Sequence, residues 1–146
     1  MRLSKKAEYG LRALAGMARG KASWSIHELS SSERIPVKYM EQILLALKHA
    51  GILQSRRGVG GGYALARPAA EISVGEIIRG LNGPIAPVPC AAERPTERCT
   101  CPDPRTCPVR IAMCEFRREM DAWLDGRTLE DLARLSPGLG GLAFDI

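Results

Sequence analysis

The sequence predicts a mainly α-helical fold: a winged helix-turn-helix domain followed by a long dimerisation helix. Three observations predict it. Two short helical patterns joined by a tight turn lie in a basic segment, over residues 25–50. A glycine-rich hairpin follows the second of them directly. Further on, an apolar stripe at three- and four-residue spacing opens at Pro108.

The first helix spans residues 4–18, with Tyr9, Ala13, Leu14 and Met17 on one face, Ser4 as its cap and Gly20 just past its end. Glu8 and Arg12 stand one turn apart and suit a surface ion pair. Ser25-Ile26-His27-Glu28 is a capping box, because Ser25 can accept the third amide while Glu28 reaches back to the cap. Its helix turns Ile26 and Leu29 inward and ends near Ser32. After the turn Glu33-Arg34-Ile35, Pro36 suits a first helical position, where its missing N–H costs nothing. The next helix, residues 37–50, carries the stripe Met40, Ile43, Leu44 and Leu47 and stops at Gly51.

Residues 52–55 and 63–66 read as paired strands around Arg56-Arg57-Gly58-Val59-Gly60-Gly61-Gly62. That loop is not a nucleotide cradle, since no Gly-Lys-Ser/Thr follows and no helix opens after it. Ser73-Val74-Gly75-Glu76 caps a helix that stops at Asn82-Gly83. The long helix, residues 108–124, aligns Val109, Ala112, Met113, Phe116, Met120, Trp123 and Leu124. Since the winged helix already has a core, this stripe is expected to pair with the same helix of a second subunit. Thr128-Leu129-Glu130-Asp131 begins a last short helix to Leu135, and residues 138–146 read as a frayed tail. There are no internal repeats. The chain divides into residues 1–83 (winged helix-turn-helix), 84–107 (cysteine-rich loop), 108–135 (dimerisation and terminal helices) and 136–146 (tail).

Of the 146 residues 45% are hydrophobic, 25% charged and 5% aromatic, an ordinary globular balance with an aliphatic core. No apolar run suits a bilayer and no signal core follows the basic N-terminus, so a cytoplasmic location is expected. Charge is uneven. Residues 1–89 hold 13 Lys/Arg against 6 Asp/Glu, and residues 90–146 hold 8 against 10. The basic part points to a polyanion, with nucleic acid first among them.

Cys90, Cys99, Cys101, Cys107 and Cys114 make up all five cysteines. The first four lie in a proline-rich stretch without aliphatic patterning, read as an irregular loop. An odd thiol count in a reducing compartment argues for metal binding or redox sensing over a disulfide framework. Thiolates hold zinc and iron–sulfur clusters. No nucleophile stands at plausible spacing from a base, so no enzyme is expected.

Several stretches resemble the Rrf2 family of bacterial transcription regulators. They are Met1-Arg2-Leu3-Ser4 with Tyr9; Ile35-Pro36 through Tyr39-Met40-Glu41-Gln42-Ile43; Arg57-Gly58 with Gly60-Gly61-Gly62-Tyr63-Ala64-Leu65-Ala66; Ile72-Ser73-Val74-Gly75-Glu76-Ile77-Ile78; and Thr128-Leu129 with Leu132. The resemblance implies a homodimer with a long dimerisation helix that binds a palindromic operator in double-stranded DNA, most simply as a repressor. It also implies an iron–sulfur cluster, 2Fe–2S or 4Fe–4S, in the loop before that helix, sensing redox state, nitric oxide or iron status. Cys107, Cys101 and Cys90 fall near the family's cluster cysteines, although Cys90 is further from Cys101 than is usual there. Some members take a histidine three residues after the last cysteine, where this chain has Arg110. Others use an acidic residue of helix 1, which here is Glu8, the expected fourth ligand, with Cys99 competing. Cys114 reads as a small core residue. A cluster-free regulator using a thiol switch or zinc, or a protein-interaction module, are the alternatives.

In such a fold Val37, Lys38, Tyr39, Glu41 and Gln42 enter the major groove. There Gln42 suits adenine and Glu41 cytosine, with Tyr39 and Gln42 equally suited to packing or capping. Arg57 suits the minor groove and Arg56 a phosphate. Arg2, Lys5 and Lys6 add basic groups near helix 1.

Overall fold

The computed structural model describes residues 3–95 and 97–135. Arg2 and the tail read at residues 138–146 lie outside them.

Helix α1 (Lys5–Arg19) is capped by Ser4, whose Oγ accepts from the Ala7 N–H at 3.1 Å. Ala7, Ala13, Leu14 and Met17 face inward from it. Helix α2 (Ile26–Glu33) carries the full capping box of Ser25 and Glu28. There the Lys21 side chain and the Ser25 N–H hold the Glu28 carboxyl down to about 2. The turn that follows is made by Arg34 in the left-handed region, φ 54°. Pro36 is the cap of α3 (Val37–His49), one place earlier than expected, and its carbonyl accepts from Met40 N–H at 2.9 Å. Gly51, at φ 72°, lets the chain leave α3 where a side chain would be strained.

Strands β1 (Leu53–Arg56) and β2 (Gly62–Leu65) pair antiparallel, Leu53 opposite Leu65 and Arg56 opposite Gly62. A third backbone joins them. Trp24 N–H donates to the Tyr63 carbonyl at 2.8 Å, and Tyr63 N–H to the Trp24 carbonyl at 2.7 Å. Gly62 makes this approach possible: its φ is +143°, and a Cβ there would stand 2.3 Å from the Trp24 carbonyl oxygen. Gly62→Ala is therefore expected to cost about 1–3 kcal/mol and to detach the hairpin from Trp24. Urea unfolding and amide exchange at Tyr63 measure this, and an unchanged midpoint with full Tyr63 protection would sink it.

Helix α4 (Val74–Asn82) starts at Ser73 and ends at Gly83. Helices α1, α3 and α4 close one core, with Leu14, Met40, Ile43, Leu44, Leu47, Ile52, Ile72 and Ile77 fully buried. Each such side chain contributes about 1.5–3 kcal/mol by leaving water. The last helix, α6 (Leu129–Arg134), joins this core through Leu129, which is also fully buried. Backbone bonds from Val74 N–H to Arg127 O and from Leu129 N–H to Ile72 O, both 2.8 Å, tie it to the start of α4.

Helix α5 (Pro108–Asp125) differs from the rest, as it buries no residue fully. Salt bridges hold it to α4, Arg79 reaching Asp121 at 3.5 Å and also contacting Asp125. The stripe read as one face holds together, with Phe116, Met120, Trp123 and Leu124 lining one apolar groove against Ile78 and Ile85. Along it Met113, Met120 and Leu124 are half-buried, while Val109 (59% exposed), Phe116 (49%), Trp123 (60%) and Ala112 remain exposed. Cys114 is half-buried and not a core residue, because no side of α5 is fully covered.

Candidate functional site

The buried stripe of α3 fixes what the helix presents outward. With Met40, Ile43, Leu44 and Leu47 inside, Lys38, Glu41, Gln42 and Leu45 are exposed on the other side. Tyr39 is half-buried and meets Tyr9 of α1 edge-on, ring centroids 5.8 Å apart, so packing takes a share of it. Lys48 donates to Ser55 Oγ at 3.0 Å and joins the end of α3 to β1. At the hairpin, Arg56 and Arg57 are exposed and Val59 is fully so at the tip. Gly58 and Gly60, both at positive φ, let the loop turn that tightly. A helix with exposed polar groups beside a basic hairpin suits groove and phosphate contact. Leu45 and Lys48 were not singled out in the sequence, although their place opposite the apolar stripe marks them.

The second assembly lies at the start of α5. A short 3-10 turn, Pro89–Ala91, interrupts the stretch read as irregular and buries Ala91 completely, which anchors Cys90. Cys107 sits at the N-cap of α5, and Pro108 opens the helix. Between these fixed ends the loop folds back on itself. Cys99 and Cys101 approach to 2.7 Å between sulfurs. Cys90 and Cys107 stand near enough to Cys99 and Cys101 to perturb their thiols. All are free thiols, half-exposed. Cys99 is made more acidic than an ordinary thiol by hydrogen bonds from the Cys101 side chain and backbone and by the Arg110 guanidinium. Its neighbours shift the other way. The Cys101 thiol is pushed up to about 12, first by its hydrogen bond to Cys99, and Cys90 is raised by burial and by Cys99.

The structure thus gathers Cys90, Cys99, Cys101 and Cys107 in one chain. Glu8 lies on α1 and pairs with Lys5 at 2.8 Å, while Arg12 reaches Glu33 of α2. Among the described residues, no three His, Cys, Asp or Glu side chains converge as a finished site for a single ion. Four adjacent thiols are nonetheless the soft donor set that iron–sulfur clusters and zinc select, so the residues present fit such a group. Also among the described residues, no helix is long and apolar enough to cross a membrane.

Fold and surface together define a winged helix-turn-helix transcription regulator. The profile of the Rrf2 family, described as "Iron-dependent Transcriptional regulator", matches residues 3–135, and the chain belongs to that family. It is 32% identical over 136 residues to an rrf2-like HTH-type transcriptional regulator of Rhodobacter capsulatus, covering 89% of this chain and 91% of that protein. The structure of CymR, the global cysteine regulator of B. subtilis, superposes with TM-score 0.74 at 32% identity, covering 94% of this chain and 99% of that one. The structure of IscR from T. potens superposes with TM-score 0.71 at 26% identity, covering 95% of each chain.

Proposed function

We propose that this regulator is a homodimeric repressor of a palindromic operator whose affinity is switched by an iron–sulfur cluster. Cys90, Cys101 and Cys107 hold it, with a fourth ligand from Glu8 or Cys99. The observation that carries this is the gathering of thiols in one loop at the N-terminus of α5. When bound, such a cluster supplies a centre that oxygen, nitric oxide or an electron can alter.

The chain's own residues transmit the change. Cys107 is the cap of α5, so a grip on its sulfur fixes where that helix starts. Helix α5 carries Phe116 and Trp123, the outward apolar side chains on which a second subunit can sit. The angle of α5 thereby sets the separation of the two α3 helices. Gln42 and Glu41 read bases, Lys38 and Arg56 hold phosphates, Arg57 probes the minor groove, and Tyr39 braces α3 against Tyr9 of α1. When the thiols release their ligand, loop 90–107 and the start of α5 loosen together, and the half-site spacing is lost.

Operator affinity of anaerobically reconstituted protein against chelator-treated protein, at one salt concentration, tests this. A difference of at least ~10-fold, about 1.4 kcal/mol, is expected. Equal affinities would remove the switch.

The Cys99–Cys101 approach favours one second reading, a cluster-free thiol switch in which those two sulfurs are oxidised. Protein that stays colourless after anaerobic treatment with iron and sulfide, and loses operator affinity on oxidation, would support it instead.

A further inference from the structure

The cluster proposal leaves the fourth ligand open between Glu8 and Cys99, and Arg110 bears on the choice. From the first turn of α5 it donates through Nε to the Cys90 carbonyl at 3.2 Å and through Nη1 to the Pro104 carbonyl at 3.1 Å. One carbonyl belongs to the first thiol residue, and the other lies between Cys101 and Cys107. A single planar guanidinium therefore ties both limbs of the loop to the dimerisation helix. Its charge also acts on Cys99, the thiol lying between Cys90 and Cys101.

We propose that Arg110 is the positioning residue of a self-contained four-thiol iron–sulfur site, in which Cys99 completes the set of Cys90, Cys101 and Cys107 and no ligand is borrowed from helix 1. This rests on the cluster proposal and adds ligand identity and a tuning residue to it. Three features support Cys99. Its sulfur already stands 2.7 Å from that of Cys101 within the same loop, whereas Glu8 lies on α1 and is engaged there by Lys5. A thiolate is a softer partner for iron than a carboxylate. The permanent charge of Arg110 stands where an anionic site needs one, and it cannot be lost by deprotonation. Groups outside the ligand shell orient the ligands and set reduction potentials, and a fixed cation favours the more negative, reduced state.

The test uses the full chain, reconstituted anaerobically with iron and sulfide. Glu8→Gln should hold as much iron and sulfide per protomer as the unaltered protein, while Cys99→Ala should lose at least ~10-fold in cluster retention against a chelator. Cys99→Ser is the second measurement. Its oxygen donor should shift the electron paramagnetic resonance signal of the reduced cluster, and Glu8→Gln should leave that signal unmoved.

For Arg110 the readout is the midpoint potential. Dithionite delivers one electron to each cluster and is itself oxidised, with no other bond made or broken at the protein. Arg110→Gln should move the midpoint to more negative potential. Arg110→Lys, which keeps the charge and loses the double donation, should restore the potential but not the retention. Retention in Cys99→Ala with loss in Glu8→Gln would overturn the ligand assignment, and a midpoint unmoved in Arg110→Gln would overturn the tuning role. Unaltered protein that takes up no cluster would end the parent proposal as well, an outcome visible before any variant is made.

Discussion

Phe116→Glu combined with Trp123→Glu yields a monomer that no longer holds a two-half-site operator. Both side chains are exposed, at 49% and 60%, on the wall of an open apolar groove, and Val109 and Ala112 continue the same line along α5. Val109, Phe116 and Trp123 are seven residues apart, with Ala112 between the first two, which is the spacing of a two-helix seam. Across a two-fold axis each carboxylate introduced meets its own copy, so repulsion adds to the loss of two aromatic anchors. Each anchor is worth about 2 kcal/mol or more in such a seam. Light scattering should return the 15.9 kDa of one chain. Operator affinity should fall at least ~100-fold, or about 2.8 kcal/mol, because each chain then engages a single half-site. The circular dichroism spectrum should not change, since α5 contributes no fully buried residue. A dimer persisting at micromolar concentration would show that the subunits meet elsewhere.

The second large effect is expected from Cys101→Ala with Cys107→Ala. Removing two thiols from one loop leaves too few donors for a cluster. Bound iron and sulfide should fall to background, and reconstituted and chelator-treated samples should bind the operator alike. Both residues are half-exposed and outside the hydrophobic core, so the thermal midpoint should move by no more than about 4 °C. Cys99→Ala alone separates the two proposed switches. A disulfide between Cys99 and Cys101 cannot form in it, so loss of the response to oxidation in protein that never took up iron would identify the thiol switch. A double variant that still carries iron and sulfide would refute the assignment of Cys101 and Cys107.

Local chemistry made most of the helices legible. Ser4, Ser25 with Glu28, Ser73 and Thr128 each cap the helix they announce. Gly51 and Gly83 end helices at positive φ. What escaped depended on partners distant in sequence. Trp24 pairs with Tyr63 through one bridge, which leaves no alternation to read. Leu129 carries the same apolar signal whether it packs on the dimerisation helix or on α1, and only tertiary contact decides. The α5 stripe was legible as one face from its three- and four-residue spacing, but how much of it the chain's own domain covers was not, and Phe116 stays exposed beside half-buried Met120. Arg34 entered a left-handed turn that glycine or asparagine would have signalled.

At the site, the thiols were visible as a group and their contacts were not, since spacing alone cannot say how a proline-rich loop folds back. Arg110 was noticed in the sequence only for standing where some relatives have a ligand. Its bonds to two backbone carbonyls have no side-chain signature.

The Trp24–Tyr63 pairing has a mechanical consequence. A hairpin fastened close to its tip, through Tyr63, to the segment ahead of α2 cannot swing as a loose arm, and Lys48 braces its other strand against the end of α3. Within the chain, α3 and the hairpin, the two parts proposed to touch DNA, are thus geared as one calliper jaw. In the proposed dimer, a signal that changes occupancy of the operator then acts on the gap between jaws rather than on the shape of either.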